Sequence, residues 1–180
     1  MEALSKAELL ALLAAARQVR ERDFLMILVA YCHGLRASEV IAIKKHDIKD
    51  GCLEVQRLKH SERTLQPLPE HENPFLNERQ ALIAYAEKAM SDDRLFPITR
   101  RQFGRIVHQH AVAVGLPEHK RHPHMLKHTI GTEIYDKTKD LRLVKSHLGH
   151  ARESSSLIYS GRATEIESEK LVQALMKQDG

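Results

Sequence analysis

One short interval of strand-type alternation constrains the fold of this chain more than any other feature. Between residues 52 and 69 the runs CLEVQRL and RTLQPLP alternate apolar and polar residues, and Asp50-Gly51 before them is typical of a turn. The connecting segment LKHSE puts Lys59 at the turn of the predicted hairpin. The segments on either side have helical periodicity. We therefore predict a mainly α-helical fold with one small antiparallel β-hairpin or sheet.

Helical segments are predicted on both sides of this hairpin. Ser5 and Glu8 fit a capping box at the start of the first helix, which ends near Gln18. Further helices are predicted near 22–33, from 37 to about 45, and at 77–90, 99–114, 125–137, 141–148 and 165–177, with a short one before Tyr159. A chain of 180 residues without a low-complexity linker suits one domain, 1–180, in which 163–180 form a C-terminal tail helix.

The composition excludes several classes of protein. Hydrophobic residues make up 42% of the chain and charged residues 29%, which is enough to build a core. No apolar run has the length of a transmembrane helix, and the N-terminus does not resemble a secretory signal, so we expect no membrane association. Cys32 and Cys52 do not have the spacing of paired ligands, which favours reduced thiols and a cytoplasmic location.

Positive charge is concentrated in the middle of the chain. The net charge is +4, yet residues 94–127 alone contain seven Lys or Arg and one acidic residue, Glu118. A surface that faces phosphates needs such a distribution, although a solvated basic helix face explains it equally well. The residues that we predict to contact nucleic acid are Arg100, Arg101, Arg105, Lys120 and Arg121.

The segment HPHMLKHTIGT, residues 122–132, contains two histidines four residues apart on one helix face, His124 and His128. A zinc-protease motif would require glutamate directly after the first histidine, and Met125 stands there instead. No third ligand lies at a usual spacing, so we predict no metal site. His124 and Lys127 also share a helix face, and this pair could bind a phosphate.

Three further segments contain candidate phosphate-binding or reactive residues. In HGLRASEV, Arg36 follows a glycine turn at a helix start, where its guanidinium and backbone amides could meet one phosphate. Lys59 lies at the hairpin turn. His150 ends an LGH sequence, and Tyr159 follows nine residues later.

Taken in this order, these residues resemble the tyrosine recombinases, the phage integrase-like enzymes. The resemblance runs from LSKAELLALLAAA through GLRASE, the hairpin lysine, HPHMLKHT and LGH to Tyr159. It looks especially like the short recombinases that invert fimbrial promoter switches and like related phage integrases. It implies the tyrosine recombinase catalytic-domain fold and site-specific DNA recombination, in which strands are cut and rejoined without metal or other cofactor.

The resemblance also implies a role for each site residue. Tyr159 would be the nucleophile that forms a 3′-phosphotyrosine, and Glu39 and His128 would support the residues around it. The other catalytic roles would be transition-state cations at Arg36 and Lys127, a hydrogen-bond donor at His150, a general acid at Lys59 and a proton acceptor at His124.

The chain departs from the family at Lys127, where arginine is usual. Lysine offers a single point charge in place of a planar fork, so we expect reduced activity. A tolerant natural variant, a degenerate enzyme that binds but cuts poorly, and a deliberate substitution remain open. The alternative function is a DNA-binding module or regulator without catalysis, because ITRRQFGRIVHQHAVAVG has the pattern of a basic amphipathic helix. A histidine-rich metal-binding protein is a second alternative.

The resemblance extends to size and assembly. Larger relatives have an N-terminal helical domain, and we expect this chain to lack that core-binding domain, either as an excised domain or as a minimal enzyme. The expected partner is double-stranded DNA. We expect a monomer in free solution and a homotetramer on DNA, with exchange of the C-terminal helix between protomers. The expected source is bacterial, archaeal or phage, with the protein associated with the nucleoid.

Overall fold

The computed structural model describes residues 2–56, 63–90 and 93–149. Within these ranges the chain forms seven α-helices and one three-stranded antiparallel sheet, so the predicted fold class is confirmed. Short 3-10 turns lie at Lys45–Asp47 and Glu118–Lys120. The elements are α1 (Lys6–Val19), α2 (Glu21–Cys32), α3 (Ala37–Val40), β1 (Ile48–Lys49), β2 (Cys52–Val55), β3 (Thr64–Pro67), α4 (Glu78–Glu87), α5 (Arg100–Ala113), α6 (His124–Thr138) and α7 (Leu141–Leu148).

Helix α2 forms the centre of the core. Every residue from Asp23 to Cys32 is buried, because α1, α4 and α6 pack around the helix on different sides. Burial of each large apolar side chain in this helix contributes about 1.5–3 kcal/mol. The breadth of apolar residues in DFLMILVAYC is therefore the pattern of a fully enclosed helix.

Side-chain caps fix the starts of several helices. The Ser5 amide donates to the Glu8 carboxylate at 2.7 Å and the Glu8 amide donates to the Ser5 hydroxyl at 3.2 Å, which confirms the predicted capping box. The Asn77 side chain accepts from the Gln80 amide at the start of α4, and Thr99 and Gln102 form a second capping box at the start of α5. These polar residues satisfy amide groups that have no partner within the helix.

The third helix is shorter than predicted. We predicted a helix from Ala37 to about Lys45, but α3 ends at Val40. Beyond it the chain extends to meet a distant segment: Lys44 forms an isolated bridge with Arg94, and the Leu95 amide donates to the Ile43 carbonyl at 2.9 Å. This tertiary pairing competes with the helix and ends it.

The sheet has the order β1-β2-β3, with Leu53 opposite Gln66 and Val55 opposite Thr64. The predicted two-stranded hairpin therefore gains a third strand, β1. Its inner face buries Leu53, Val55 and Leu68 against the helices. The predicted connection LKHSE with Lys59 lies outside the described residues, as do His150, Tyr159 and the tail 163–180.

A glycine turn brings two ends of the helical body together. Gly34, between α2 and α3, has a φ of +58°, a conformation that favours glycine. A Cβ atom there would lie 2.4 Å from Cδ2 of Leu148, the last residue of α7. The missing side chain therefore permits the close approach of α7 to the turn that precedes Arg36.

Neither cysteine is part of a disulfide. Cys32 is buried, and burial, together with the nearby Glu78 carboxylate, raises the pKa of its thiol well above the ordinary range. Among the helices of the described ranges, none combines the length and apolar character needed to cross a membrane.

Candidate active site

Arg36 stands at the N-cap of α3 and is held from beneath by a buried carboxylate. Its amide donates to Glu39 Oε2 at 2.7 Å, and its Nη1 donates to Glu39 Oε1 at 3.3 Å. The Glu39 side chain is fully buried, whereas 41% of the Arg36 side chain is exposed. The guanidinium is thus fixed on one edge and open to solvent on another, an arrangement that can bind an anion.

His124 is the first residue of α6 and is exposed to solvent. Partial burial lowers its pKa, and the charges of His122, Lys127, His128 and Arg36 lower it further. The charges of Arg36 and of the HPHMLKH segment therefore act on the same imidazole. Because its pKa is low, the imidazole of His124 is neutral at physiological pH and able to accept a proton.

Lys127 lies beneath this surface. It is 2% exposed, and its Nζ donates to the carbonyl of Gly34 at 2.9 Å and to that of Leu148 at 2.7 Å. The predicted phosphate-binding pair on one helix face is therefore divided, with His124 at the surface and Lys127 inside. Lys127 joins the turn before Arg36 to the segment that leads to His150.

His128 is half-buried one residue after Lys127, close enough for its charge to act on His124. Its supporting role remains a prediction. Lys59, His150 and Tyr159, the predicted general acid, hydrogen-bond donor and nucleophile, belong to the segments that the structure does not describe.

The predicted DNA-contacting residues divide into two groups. Arg100, Arg101 and Arg105 are exposed on α5 and form a basic surface. Arg101 and Arg105 lie opposite the face that buries Phe103 and Val107, and Arg100 is the first residue of the helix. Arg121 is half-buried, and its Nε donates to the Leu116 carbonyl at 2.6 Å.

The charge of Lys120 does not face the solvent, contrary to the prediction that it contacts DNA. It is 5% exposed, and its Nζ lies 3.0 Å from the Glu8 carboxylate and 3.2 Å from that of Glu2. Burial alone would lower the pKa of Lys120, but the hydrogen bonds to Glu8 and Glu2 outweigh it and raise the pKa. This lysine is an internal ion-pair partner that joins the N-terminal segment to the 3-10 turn before α6.

A buried chain of polar side chains connects α2, β3, α4 and α7, and it is absent from the sequence-based predictions. The Gln66 Nε2 donates to the His147 carbonyl at 2.9 Å, and the Gln66 Oε1 accepts from His33 Nδ1 at 2.7 Å. His33 Nε2 lies 2.8 Å from Glu78 Oε2. His147 Nε2 donates to the Cys32 carbonyl at 2.9 Å. A buried side-chain amide without hydrogen-bond partners would destabilise the fold by about 1–3 kcal/mol. The bonds to His33 and His147 avoid this penalty for Gln66.

The alternation of residues in the strands gives one indication of the buried polar chain. The buried residues on the inner face of the sheet are Leu53 and Val55 of β2, Gln66 of β3 and Leu68 directly after β3. Gln66 is the polar residue among them, and a buried polar side chain requires hydrogen-bond partners. Within residues 2–56, 63–90 and 93–149, no group of three or more His, Cys, Asp or Glu side chains could hold a metal ion.

Comparison with known proteins decides the family. The model of the phage integrase family matches residues 2–165, which is most of the chain. The chain belongs to the phage integrase family. The resemblance that the motifs indicate is thereby confirmed. Arg36, His124 and Lys127 lie within the residues that the family model matches.

Curated relatives agree with this assignment. The integrase-family chain is 31% identical over 143 residues to the type 1 fimbriae regulatory protein FimE of Escherichia coli K12, covering 72% of this chain and 69% of that protein. It is 34% identical over 156 residues to the tyrosine recombinase XerD of Proteus mirabilis, covering 80% of this chain and 49% of XerD. The chain thus spans about half the length of XerD.

Solved structures share the fold. The integrase from mycobacterium phage Brujita superposes with a TM-score of 0.74 at 22% identity, covering 97% of this chain and 58% of that one. The lambda integrase catalytic core superposes with a TM-score of 0.66 at 21% identity, covering 87% of this chain and 95% of the core. The integrase-family chain therefore has the tyrosine recombinase catalytic-domain fold.

Proposed function

We propose that this chain catalyses site-specific DNA recombination by cutting and rejoining strands through a covalent 3′-phosphotyrosine. The observation that carries the proposal is Arg36, a half-exposed guanidinium that the buried Glu39 anchors and whose charge helps to lower the pKa of His124, in a chain of the phage integrase family. Such a site can bind a phosphodiester and accept a proton next to it.

In the proposed cleavage step, the Tyr159 oxygen attacks the scissile phosphorus. The phenol proton passes to His124, whose lowered pKa suits a proton acceptor. The bond from phosphorus to the 5′-oxygen breaks, and Lys59 protonates that oxygen. In rejoining, a 5′-hydroxyl attacks the phosphotyrosine and releases Tyr159 by the reverse transfers. Atoms and protons balance without a metal or nucleotide cofactor.

The transition state places additional negative charge on the non-bridging phosphate oxygens. Arg36 is preorganised to stabilise it, because Glu39 fixes the guanidinium before DNA binds. His150 donates a further hydrogen bond to the same oxygens. Lys127 contributes its charge from a buried position and holds the carbonyls of Gly34 and Leu148.

Two structural neighbours are assemblies with DNA. One is a XerH recombinase bound to its difH substrate before cleavage, and another is a lambda integrase tetramer bound to a Holliday junction. We extend to this chain double-stranded DNA as partner, a homotetramer on DNA with exchange of the tail helix, and a monomer in free solution. The exposed arginines of α5 supply the non-specific attraction to phosphates. The proposed location is the cytoplasm, at the nucleoid.

The experiment uses a nicked suicide DNA, in which the strand fragment released by cleavage diffuses away and traps the covalent complex. We expect a denaturation-resistant adduct at a site selected from a library of candidate sites, and its complete loss in Tyr159→Phe. Tyr135→Phe, on α6, is the matched control and should keep the adduct.

The alternative function, a DNA-binding module, has support in the exposed arginines of α5. It makes a different prediction for the same experiment. Specific binding of a selected site with no adduct would contradict the recombinase and favour the binding module.

A further inference from the structure

The buried polar chain of His33, Gln66, Glu78 and His147 has no role in the proposed chemistry so far. Each of these residues is at most 2% exposed, so none can touch DNA directly. They come from four elements: the C-cap of α2, the middle of β3, the first residue of α4 and the end of α7. The buried polar chain therefore connects the sheet to three helices.

Gln66 is the central member of the buried polar chain, because it bonds to His33 on one side and to His147 on the other. The orientation of its amide is fixed. A carbonyl can only accept, so the 2.9 Å contact with the His147 carbonyl requires the Gln66 Nε2 to donate. The Gln66 Oε1 consequently faces His33 and accepts from its Nδ1 at 2.7 Å. A flipped amide would set oxygen against oxygen at His147.

This orientation determines where the protons of the His33–Glu78 pair lie. His33 must carry a proton on Nδ1 in order to donate to Gln66. His33 Nε2 and Glu78 Oε2 are then 2.8 Å apart and share one further proton, carried by either atom. These hydrogen bonds thus have one consistent donor and acceptor pattern from Glu78 Oε2 through His33 and Gln66 to the backbone of α7.

The segments that the buried polar chain joins lie close in sequence to predicted catalytic residues. His33 precedes Arg36 by three residues, and His147 precedes His150 by three. Gln66 lies in β3, the strand that follows the segment carrying Lys59, and it pairs with Leu53 of the preceding strand. The Gln66 side chain joins this strand pair to the end of α7 through a directional hydrogen bond.

We propose that Gln66 is a positioning residue for protonation of the leaving group, which holds the sheet so that Lys59 reaches the 5′-oxygen. The proposal rests on the proposed function. It differs from a purely structural role in one chemical respect. An oxygen leaving group needs a proton from Lys59, whereas sulfur at the same bridging position leaves as a stable thiolate and needs none. A defect in proton delivery is therefore suppressed by sulfur, and a defect in folding or phosphate binding is not.

The experiment compares single-turnover cleavage of two suicide DNAs, one with oxygen and one with sulfur at the scissile 5′ position. In Gln66→Met, which keeps the length of the side chain but cannot bridge His33 and His147, cleavage of the oxygen substrate should fall by about tenfold to 10²-fold. Cleavage of the sulfur substrate should stay within about threefold of wild type, since it bypasses the general acid.

Variants at Glu78 supply the matched controls. In Glu78→Gln an amide N–H can donate to Nε2 of a neutral His33, so the chain stays intact and both substrates should be cut at wild-type rates. Glu78→Met removes that partner and should slow the oxygen substrate selectively. If Gln66→Met does not fold, as judged by circular dichroism, Gln66→Leu and Glu78→Met on the same two substrates decide the question.

The outcomes separate this proposal from the one it rests on. Wild-type rates in Gln66→Met on both substrates, or equal slowing on both, would overturn the positioning role while leaving the recombinase in place. Failure of the wild-type protein to form an adduct with either substrate would instead overturn the proposed function.

Discussion

Arg36 and Lys127 carry the same charge in opposite surroundings. The Arg36 side chain is 41% exposed, whereas Lys127 is 2% exposed and its ammonium donates to two backbone carbonyls. Arg36 is thus placed to bind a phosphate directly. Lys127 holds the backbone of Gly34 and Leu148 together, and in the proposed mechanism it also contributes its charge to the phosphate site.

Replacement of Lys127 should affect both stability and cleavage. In Lys127→Met the carbonyls of Gly34 and Leu148 lose a donor, and the phosphate loses a nearby cation. We expect a lower melting temperature and cleavage slowed by about 10²–10³-fold, the usual effect of losing one preorganised donor. Single-turnover adduct formation and thermal unfolding measure the two effects, and cleavage at the wild-type rate would contradict the role in catalysis. Lys88→Met, at an exposed lysine, should change neither.

The reverse substitution tests whether lysine limits the rate. Lys127→Arg restores the planar fork that is usual in the family, so we expect faster cleavage, by up to about 10²-fold. The same suicide substrate measures the rate. An unchanged rate would show that Lys127 does not limit the enzyme.

Substitution of His122 should shift the pH dependence of cleavage, because His122 affects the pKa of His124. Partial burial lowers the pKa of His124, and the charge of His122 lowers it further. Removing that charge in His122→Gln raises the pKa of His124, so a higher pH is needed to keep it neutral as proton acceptor. We therefore expect the acid limb of the pH–rate profile to move to higher pH. His108→Gln, at an exposed position on α5, should leave the limb in place; a shift there, or none in His122→Gln, would refute the assignment.

Among the elements, the start of α1 depends on a distant turn. Glu8 closes the capping box of α1 and also accepts from the buried Lys120 at 3.0 Å. The backbone hydrogen bond from Ser5 lowers the pKa of Glu8, opposed by burial and aided by Lys120, while the carboxylates raise the pKa of Lys120. The ion pair is therefore fully formed at neutral pH, and it weakens as acid protonates Glu8 or strong alkali deprotonates Lys120.

Lys120→Met should lower the free energy of unfolding by about 1–3 kcal/mol at pH 7, because charge-assisted hydrogen bonds are lost. At an acid pH below the lowered folded-state pKa of Glu8, the loss should be smaller, since Glu8 is then protonated in both states and contributes less. Denaturant titrations at the two pH values measure the difference. Lys88→Met, an exposed ion pair with Glu21, should stay within about 0.5 kcal/mol of wild type, and an equal loss in both variants would refute the internal role of Lys120.

Local signals in the sequence predict most of the helices, and distant contacts account for the errors. The Ser5 and Thr99 caps and the apolar run of α2 are encoded locally, and α7 has its predicted bounds. The end of α3 depends on pairing with Arg94, far along the chain. In the site, it is the resemblance to the family that predicts a common site for Arg36 and His124, and the charge of Arg36 does act on the His124 imidazole. Burial of Lys120 and Lys127, and the partners of Gln66, depend on packing that no local pattern shows.

Considered as a whole molecule, the chain should assemble through its C-terminal tail. Residues 163–180 lie outside the described residues, and the sequence predicts for them an apolar helical face. Truncation after Arg162 should therefore abolish multimers on DNA while a single protomer still binds. Analytical ultracentrifugation with a selected DNA site measures the stoichiometry, with the full chain as reference. Multimers formed by the truncated protein would show that the tail packs on its own protomer.

The close approach of Gly34 and Leu148 links two parts of the sequence that lie more than a hundred residues apart. Any side chain at position 34 meets a backbone conformation that favours glycine and a Cβ position 2.4 Å from Leu148 Cδ2. Shortening Leu148 would relieve only the second of these obstacles. The two positions should therefore co-vary asymmetrically among functional variants: position 148 can change while glycine stays, but position 34 can change only rarely, whatever stands at 148.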